Sequence, residues 1–195
     1  MSTKRELRKE MLVKRLAVSE NERLKSSWLV LENLESLDRF RQASNILFYL
    51  SLEEEVRTDE IISRASQTGQ RVYVPLSCSL GKIHVTRIPG MSIEFEKRAF
   101  GIREPKKEFW DICDPCELDL VIVPGLAFDL CGGRIGFGAG FFDRFLTRLK
   151  PNVVFIGLAF DFQIVNTTPQ SENDRRVHFI VTEKRIHDCR HSLMN

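Results

Sequence analysis

A dense group of glycines between two apolar segments most strongly limits what this chain can fold into. Five of the 11 glycines fall within residues 132–140. They follow the apolar run LDLVIVP (118–124) and precede a helical pattern over residues 142–149. Short apolar runs bounded by turn residues or proline are typical of buried strands. The segment therefore predicts a strand that leads through a glycine-rich loop into a helix.

The rest of the chain alternates strands with helices. Apolar runs without polar alternation predict strands that are buried on both faces, and intervening helices favour a mostly parallel sheet. The predicted fold class is α/β, a three-layer sandwich preceded by N-terminal helices. Residues 90–115 are expected to form a long irregular connection with one short element at 93–95. The expected strands lie at 45–50, 71–75, 83–88, 118–124, 153–160 and 178–182, and the expected helices at 3–17, 19–40, 58–68 and 142–149.

The first two helices are predicted from their N-terminal caps. Thr3 with Glu6 has the pattern of a capping box, and Ser19 with Glu22 repeats it. Apolar residues at three-to-four spacing then indicate which face each helix buries. These residues are Leu7, Met11, Leu12 and Leu16 in the first helix, and Leu24, Trp28, Leu31, Leu34 and Leu37 in the second.

Composition and charge narrow the possible functions. The 195 residues suit one domain, taken as 1–195, and a net charge of +2 gives no general attraction for nucleic acid. No apolar run approaches the roughly 20 residues of a membrane span. The basic N-terminus lacks the apolar segment of a secretory signal, and five irregularly spaced cysteines fit reduced thiols. We therefore expect a cytoplasmic protein without a nucleic-acid or membrane partner.

The glycine loop itself suggests a binding site for an anion. Glycine lets backbone N–H groups approach a ligand without interference from Cβ, and a following helix N-terminus favours phosphate. Arg134 adds positive charge, and Asp143 could hold Mg²⁺ against bound phosphates. The loop has neither the Gly-Lys-Ser/Thr of a Walker A loop nor the spacing of a dinucleotide-binding turn. A tight turn that needs glycine only for its shape is the alternative.

The same segment carries a resemblance to a known family. The stretches PGLAFD (124–129) and GGRIGFGAGFFD (132–143) resemble the signature of the 5-formyltetrahydrofolate cyclo-ligase family, also called 5,10-methenyltetrahydrofolate synthetases. Further similar stretches follow in the family's order along nearly the whole chain. They are KRELR (4–8), FYLSLEEE (48–55), YVP (73–75), GIREP (101–105), LAF (158–160) and VTE (181–183).

The resemblance implies an ATP-dependent ligase on a fold similar to that of sugar-phosphate isomerases and CoA transferases. Members of the family convert 5-formyltetrahydrofolate to 5,10-methenyltetrahydrofolate with ATP and Mg²⁺. The formyl oxygen is phosphorylated, the neighbouring nitrogen N10 closes the ring, and phosphate leaves. Positioning and charge neutralisation supply most of such catalysis, so no protein nucleophile is needed. The implied partners are small molecules, ATP and 5-formyltetrahydrofolate, and a monomer is expected.

The resemblance also implies roles for residues at matching positions. The N-terminal helix and the glycine loop would hold ATP, and the Glu55 carboxylate would accept hydrogen bonds from the pterin N–H groups. The implied ATP-binding residues are Lys4, Arg5, Arg8, Arg134, Gly136, Phe137, Gly138, Ala139, Gly140, Phe141 and Phe142. The implied folate-binding residues are Leu50, Glu55, Phe137, Gly138, Gly140 and Phe141, and the implied Mg²⁺ ligands are Asp143 and Asp174.

Other polar residues have ordinary structural interpretations. Lys14 and Arg15 are expected on the solvated face of the first helix, and Asp129 in an Asx-turn that shapes the glycine loop. The cluster of His187, Cys189 and His191 is expected to lie in a solvated tail. In the family, a tyrosine pair is common where this chain has Phe141 and Phe142, and an aspartate often stands where it has His178.

Two other functions stay open on the sequence alone. An enzyme similar to sugar-phosphate isomerases or CoA transferases would use the loop as an anion cradle without ATP. A non-catalytic module would bind RNA or a protein through the basic N-terminus, although the near-neutral charge counts against it. Dependence on ATP separates the ligase from the first alternative.

Overall fold

The computed structural model describes residues 3–77, 83–98 and 101–190. No helix in these ranges is both long and apolar enough to cross a bilayer. The helices are α1 (Lys4–Ala17), α2 (Glu20–Ser36), α3 (Asp38–Gln42), α4 (Asp59–Gln67) and α5 (Phe141–Leu146). The strands are β1 (Asn45–Leu47), β2 (Arg71–Ser77), β3 (Ile83–Ile88), β4 (Phe95–Lys97), β5 (Arg103–Pro105), β6 (Asp111–Cys113), β7 (Leu120–Val123), β8 (Ala127–Asp129), β9 (Arg134–Ile135), β10 (Val154–Leu158), β11 (Ile164–Val165), β12 (Phe179–Val181) and β13 (Ile186–Asp188).

An eight-stranded sheet with the order β13-β12-β10-β7-β1-β2-β3-β6 forms the middle of the structure. The strands from β12 to β2 run parallel, while β13, β3 and β6 join antiparallel at the two edges. Every residue of β7 is buried, because both faces of a parallel sheet are covered. The predicted α/β class with a mostly parallel sheet is confirmed.

Helices cover both faces of this sheet. Successive strand residues point to opposite faces, so Ile46 and Leu47 belong to different layers. Ile46 lies in one core cluster with Ile61 of α4 and with residues of α2 and α3. Leu47 lies in a second cluster with Phe145 of α5. The two clusters produce the predicted three layers.

The direction of the chain connections changes next to β1. From β1 the chain crosses to β2 on one side, whereas from β7, on the other side of β1, it crosses to β10. Connections that leave in opposite directions open a crevice outside the carboxyl ends of the two strands, where ligands bind in sheets of this type. The segments that follow these ends are residues 48–58 and 124–140. Both segments contain predicted site residues.

The helix predicted over residues 19–40 is interrupted. Leu37 is extended (φ −77°, ψ 121°) and separates α2 from α3. Leu24 and Trp28, expected in the core, are 48% and 47% exposed. Ser27 is buried instead, and its Oγ accepts a hydrogen bond from the backbone N–H of Arg57 (3.1 Å). The face of α2 that carries Ser27 is therefore buried, and the face that carries Leu24 and Trp28 is exposed. The predicted buried face of α2 was partly wrong.

Residues 90–115 and the C-terminal segment contain more regular structure than predicted. β4 and β5 form an antiparallel hairpin, and β6 extends the main sheet beside β3. The expected solvated tail instead forms β13 beside β12 and buries Cys189, while His191 lies outside the described residues. These four strands are three residues long and contain no apolar run. Patterns of this length do not identify a strand.

Candidate active site

The turn before the glycine loop is shaped by Asp129, at the end of β8. Its Oδ1 accepts hydrogen bonds from the N–H groups of Cys131 (2.9 Å) and Gly133 (3.0 Å), and its Oδ2 from the N–H of Thr168 (2.8 Å). A Cβ at position 133 would lie 2.3 Å from Thr168 Oγ1, so glycine is required there. The geometry agrees with the Asx-turn expected for Asp129.

Helix α1 packs against the hairpin that carries the loop. Leu7 and Met11 are buried in a third core cluster with residues of β8 and β9, and the capping box at Thr3 is present. The next turn brings Arg8 to the loop, where its Nε donates to the carbonyl oxygen of Gly136 (2.9 Å). Arg5 lies on the exposed side of the helix. The structure thus brings Arg8, but not Arg5, to the glycine loop.

Lys4 begins α1 beside the second predicted metal ligand, Asp174. Its Nζ forms an ion pair with Asp174 Oδ2 and lies 2.8 Å from Ser171 Oγ. The backbone N–H of Ser171 also donates to Asp174 Oδ2 (2.7 Å). Burial acts to raise the pKa of Asp174, but the hydrogen bonds from the Lys4 side chain and from the Ser171 backbone hold this pKa below its ordinary value. Asp174 is therefore a carboxylate at neutral pH.

Arg134 and Asp143 form a second ion pair. Nη1 of Arg134 lies 2.7 Å from Asp143 Oδ1, which also accepts from the backbone N–H of Arg175 (3.0 Å). Arg134 is only 4% exposed, and its Nε has no hydrogen-bond acceptor among the described residues. Burial lowers the pKa of Arg134, while Asp143 and Asp174 act to raise it. The Arg134 cation therefore pairs with Asp143 and is influenced by the charge of Asp174, and its Nε–H remains available for another acceptor.

The tip of the glycine loop is open to solvent. Phe137 is 50% exposed, and Gly138 and Ala139 are exposed as well. Gly138 has φ 110°, and a Cβ there would lie 3.3 Å from Cζ of Arg8. Glycine alone adopts such a backbone conformation without strain. The loop therefore offers exposed backbone to a ligand directly above α1.

Helix α5 follows the loop and is shorter than predicted, with six residues. Gly140 precedes it with φ 67°, and the guanidinium of Arg144 lies 5.2 Å from the ring centroid of Phe141. Phe142 packs edge-to-face on Phe145 (6.5 Å between centroids), so its backbone is the part that a ligand could reach. Because so short a helix has a weak dipole, loop amides and nearby cations are the groups that attract an anion.

The segment after β1 holds the predicted folate residues. Tyr49 O–H donates to the carbonyl of Val56 (3.1 Å), and Glu55 Oε2 accepts from the N–H of Leu52 (2.9 Å). Glu55 is 7% exposed, and this burial raises its pKa above the ordinary value. Leu50 is 3% exposed within the core. Oε2 of Glu55 is thus bonded within its own segment, while Oε1 faces Arg15 at 3.6 Å. The side chain of Leu50 belongs to the core.

Arg15 connects the two halves of the site, and the prediction that it lies on the solvated face is wrong. It is 1% exposed, and its Nε donates to the carbonyl of Glu54 (3.0 Å). Its Nη2 lies 3.6 Å from Oε1 of both Glu54 and Glu55. Its Cζ lies 5.7 Å from the ring centroid of Phe137. One buried side chain of α1 thus contacts the segment after β1 and the glycine loop.

The carboxylates near the loop fit a cation that is shared with a phosphate ligand. The described residues contain no group of three or more His, Cys, Asp or Glu side chains placed to enclose a metal. Oδ1 of Asp143 accepts hydrogen bonds from Arg134 and Arg175, so Oδ2 is the oxygen that would contact a metal ion. Mg²⁺ binds through one or two carboxylates plus substrate phosphates rather than a complete protein cage. Asp143 and Asp174 therefore fit Mg²⁺ when ATP supplies the other ligands.

A sequence profile of the 5-formyltetrahydrofolate cyclo-ligase family matches residues 1–183. The chain belongs to this family. The match includes α1, the segment after β1, the glycine loop and Asp174, which are the parts brought together by the fold. Because the family consists of ligases, the chain is an enzyme of that class. The resemblance found at the glycine segment is confirmed.

Relatives and a solved structure support the same family over the full fold. The chain is 30% identical over 190 residues to a probable 5-formyltetrahydrofolate cyclo-ligase of Caenorhabditis elegans, covering 92% of each. It is 29% identical over 196 residues to the 5-formyltetrahydrofolate cyclo-ligase of Mus musculus, covering 93% of this chain and 94% of that one. It is also similar to the solution structure of Aquifex aeolicus 5,10-methenyltetrahydrofolate synthetase, with TM-score 0.84, 34% identity and coverage of 96% and 93%.

Proposed function

We propose that this ligase converts 5-formyltetrahydrofolate to 5,10-methenyltetrahydrofolate with MgATP, releasing ADP and phosphate. The observation that supports the proposal is that two chemically different groups of residues follow the carboxyl ends of neighbouring strands and meet at Arg15. A loop with exposed glycine backbone and buried Arg134 lies on one side, and the buried Glu55 carboxylate lies on the other. Arg15 contacts both sides. This arrangement suits a reaction between a nucleotide phosphate and a second, hydrogen-bonding ligand.

The glycine loop and its neighbouring cations are suited to hold the triphosphate. Arg8 and Arg134 bring two positive charges to the loop, and Lys4 brings a third to Asp174, whose charge also acts on Arg134. Backbone N–H groups of residues 136–142 would add donors. Charged donors form strong hydrogen bonds to phosphate oxygens. When Mg²⁺ is bound by Asp143 and Asp174, it supplies further neutralisation of phosphate charge. Arg5, on the exposed side of α1, is the predicted ATP residue with the weakest support.

The folate would bind in the crevice with its pterin ring at Glu55. A buried carboxylate accepts the paired N–H groups of the pterin edge, which fixes the formyl group relative to the loop. The formyl oxygen then attacks the γ-phosphorus, and the bond to the ADP oxygen breaks. N10 attacks the activated carbon and loses its proton to solvent, and the C–O bond breaks as phosphate leaves with the electron pair. The protein's part is in-line positioning and charge neutralisation.

The test is a direct assay of the purified protein with 5-formyltetrahydrofolate and MgATP. We expect one ADP to form for each molecule of methenyl product, which is measured by its absorbance. No product should form when ATP or Mg²⁺ is omitted. ATP binding without product from folded protein would contradict the folate substrate. Absence of both would contradict the assignment of the glycine loop and favour an anion-binding enzyme that does not use ATP.

A substitution of Asp143 tests the proposed Mg²⁺ site. Asp143→Asn keeps an oxygen that can accept from Arg134 and Arg175 but removes the negative charge. We expect the Mg²⁺ concentration for half-maximal turnover to rise by about tenfold or more, since Mg²⁺ prefers ionised oxygen ligands. Asp38→Asn is the control, because Asp38 is exposed and pairs with Arg41 on α3. An unchanged Mg²⁺ titration would remove Asp143 from the metal site.

A cytoplasmic location and a monomeric state belong to the same proposal. Cys113, Cys116, Cys131 and Cys189 are free thiols, which suits a reducing compartment. Light scattering on the purified protein tests the monomer, and fractionation of the source cells tests the compartment.

A further inference from the structure

The buried guanidinium of Arg15 lacks acceptors for two of its nitrogens. Nη1 and Nη2 are inaccessible to solvent and have no hydrogen-bond partner among the described residues. The carboxylate oxygens of Glu54 and Glu55, at 3.6 Å, lie beyond hydrogen-bond distance from Nη2. A buried donor without an acceptor is unfavourable. This end of Arg15 is therefore suited to a ligand that brings an acceptor.

The surroundings of Arg15 define which ligand edge would fit. Glu55 supplies an acceptor beside the unpaired donors, and Phe137 supplies a flat apolar ring. A planar molecule that carries an acceptor next to two donors on one edge complements this set. The 2-amino-4-oxo edge of a reduced pterin has that pattern, with carbonyl O4 beside N3–H and the 2-amino group.

We propose that Arg15 donates a hydrogen bond to carbonyl O4 of the pterin while Glu55 accepts from N3–H and the 2-amino group. Arg15 then adds to the selection of a 4-oxo pterin over a 4-amino pterin, because an amino group at position 4 would place a donor against a donor. The same replacement also removes the N3–H from which Glu55 accepts. The inference rests on the proposed folate substrate and adds a specificity residue to it.

Arg15 also opposes the protonation of Glu55. The groups that face this carboxylate are Arg15 from α1, Glu54 and Tyr49 from its own segment, and the N–H of Leu52. Burial and Glu54 favour the protonated form, while Arg15 and the N–H of Leu52 favour the carboxylate. Only the carboxylate can accept from both pterin donors. Arg15 thus prepares the acceptor that works beside it.

Phe137 covers Arg15 and must move for the pterin to reach it. The Phe137 ring is 50% exposed, so its displacement costs little packing. Gly136 and Gly138 flank it, and Gly138 has φ 110°, which gives the loop conformational freedom. The displaced ring can then lie against the pterin face, since aromatic rings stack favourably.

The experiment compares binding of 5-formyltetrahydrofolate with binding of its 4-amino-4-deoxy analogue, by calorimetry without ATP. The wild type should prefer the 4-oxo compound by at least about 10-fold, the lower end of the range for a hydrogen bond from a charged donor. In Arg15→Met the ratio should fall by about tenfold or more. Any preference that remains comes from N3, which carries no hydrogen in the 4-amino compound and cannot donate to Glu55. Lys14→Met is the matched control, because Lys14 is the exposed neighbouring cation that pairs with Glu10, and it should keep the wild-type ratio.

Each other outcome overturns a stated part of the inference. Equal weakening of both ligands in Arg15→Met would show a structural role, and a wild type that does not discriminate would exclude the contact to O4. If Arg15→Met does not fold, Arg15→Gln decides, because the glutamine amide remains polar but can turn its oxygen toward a 4-amino group. An unchanged ratio in Arg15→Gln would contradict the proposal. A wild type that neither binds nor turns over 5-formyltetrahydrofolate would refute the proposed function itself.

Discussion

Arg134 combines burial with an ion pair to Asp143. Its side chain is 4% exposed, and its Nε has no acceptor among the described residues. We expect Arg134→Ala to raise the Kd of MgATP by about 10- to 150-fold, because a hydrogen bond to a charged group contributes about 1.5–3 kcal/mol. Calorimetric titration with MgATP measures this. Arg41→Ala, at an exposed cation of α3, should bind normally, and equal affinities in all three proteins would exclude a phosphate contact by Arg134.

Glu55 gives the folate side of the site a pH dependence. Burial raises the pKa of Glu55, with Arg15 opposing the change. Because the carboxylate is the form that accepts from the pterin, affinity should be full above this raised pKa and should fall as the pH drops through it. We expect 5-formyltetrahydrofolate to bind progressively more weakly as the pH is lowered toward the ordinary titration range of a glutamate, with the loss beginning above that range because the pKa is raised. Calorimetry at a series of pH values measures this.

Two glutamine variants separate this effect from other titrations. Glu55→Gln should bind folate at least about tenfold more weakly and lose the pH dependence assigned to this carboxyl. Glu53→Gln changes an exposed glutamate in the same segment and should retain the wild-type profile. The same pH profile in Glu55→Gln and in the wild type would assign the titration to another group.

At the residue scale, the sequence identified charged residues that stand inside a recognisable motif, but it did not identify Arg15. Arg134 and Asp143 stand inside the glycine segment, whereas Arg15 stands in a basic helix where solvation is the ordinary expectation. A signal was present, because Leu7, Met11 and Arg15 recur every four residues and therefore share one face of α1. The polarity of arginine outweighed that periodicity in the prediction. Its burial depends on Glu54 and Glu55, which are distant in sequence.

Helix α1 is the element that joins the two sides of the site. It places Arg8 at the glycine loop, Lys4 at Asp174 and Arg15 at the segment after β1. Its attachment depends on a small apolar cluster that contains Leu7 and Met11. Damage to this cluster should therefore impair both ligand sites through one element.

Met11→Ala tests this attachment. Met11 is 1% exposed, so we expect a loss of about 2–5 kcal/mol in the free energy of unfolding, from lost burial and the cavity. The affinities for MgATP and for folate should fall together because α1 carries contacts to both. Urea unfolding and calorimetry provide the measurements. Val13→Ala, at a site that is 61% exposed on the same helix, should change stability by no more than about 0.5 kcal/mol. Unchanged ligand affinities in folded Met11→Ala would contradict the role of α1.

Strong local patterns made the long elements predictable, whereas short edge elements depended on tertiary contacts. The capping box gave the start of α1, and the continuous apolar run gave the buried strand β7. β6 and β13 have three residues each and exist because a neighbouring strand supplies hydrogen bonds. The buried face of α2 was misjudged because the contact of Ser27 with Arg57 has no local sequence signal.

The sheet topology explains how distant segments form one site. Residues 48–58 follow β1, and residues 124–140 follow β7, which is its parallel neighbour. The carboxyl ends of adjacent parallel strands meet at one edge, and the change in connection direction leaves space there. Two ligand sites on different connections can therefore face each other. Their residues should act separately on their own ligands, apart from the shared contacts of Arg15 and Phe137.

This separation predicts that one variant loses the thermal stabilisation by MgATP alone and another loses the stabilisation by folate alone. A ligand at 100 times its Kd stabilises the folded state by about 2.7 kcal/mol, which corresponds to a Tm increase of about 5–10 °C for a chain of this size. Scanning calorimetry should show such a shift with MgATP alone and with 5-formyltetrahydrofolate alone. At the same ligand concentrations, Arg134→Ala should lose most of the MgATP shift and keep the folate shift, while Glu55→Gln should do the reverse. If either variant lost both shifts while its unliganded Tm stayed unchanged, the two ligands would share one binding site instead of occupying opposite sides of the crevice.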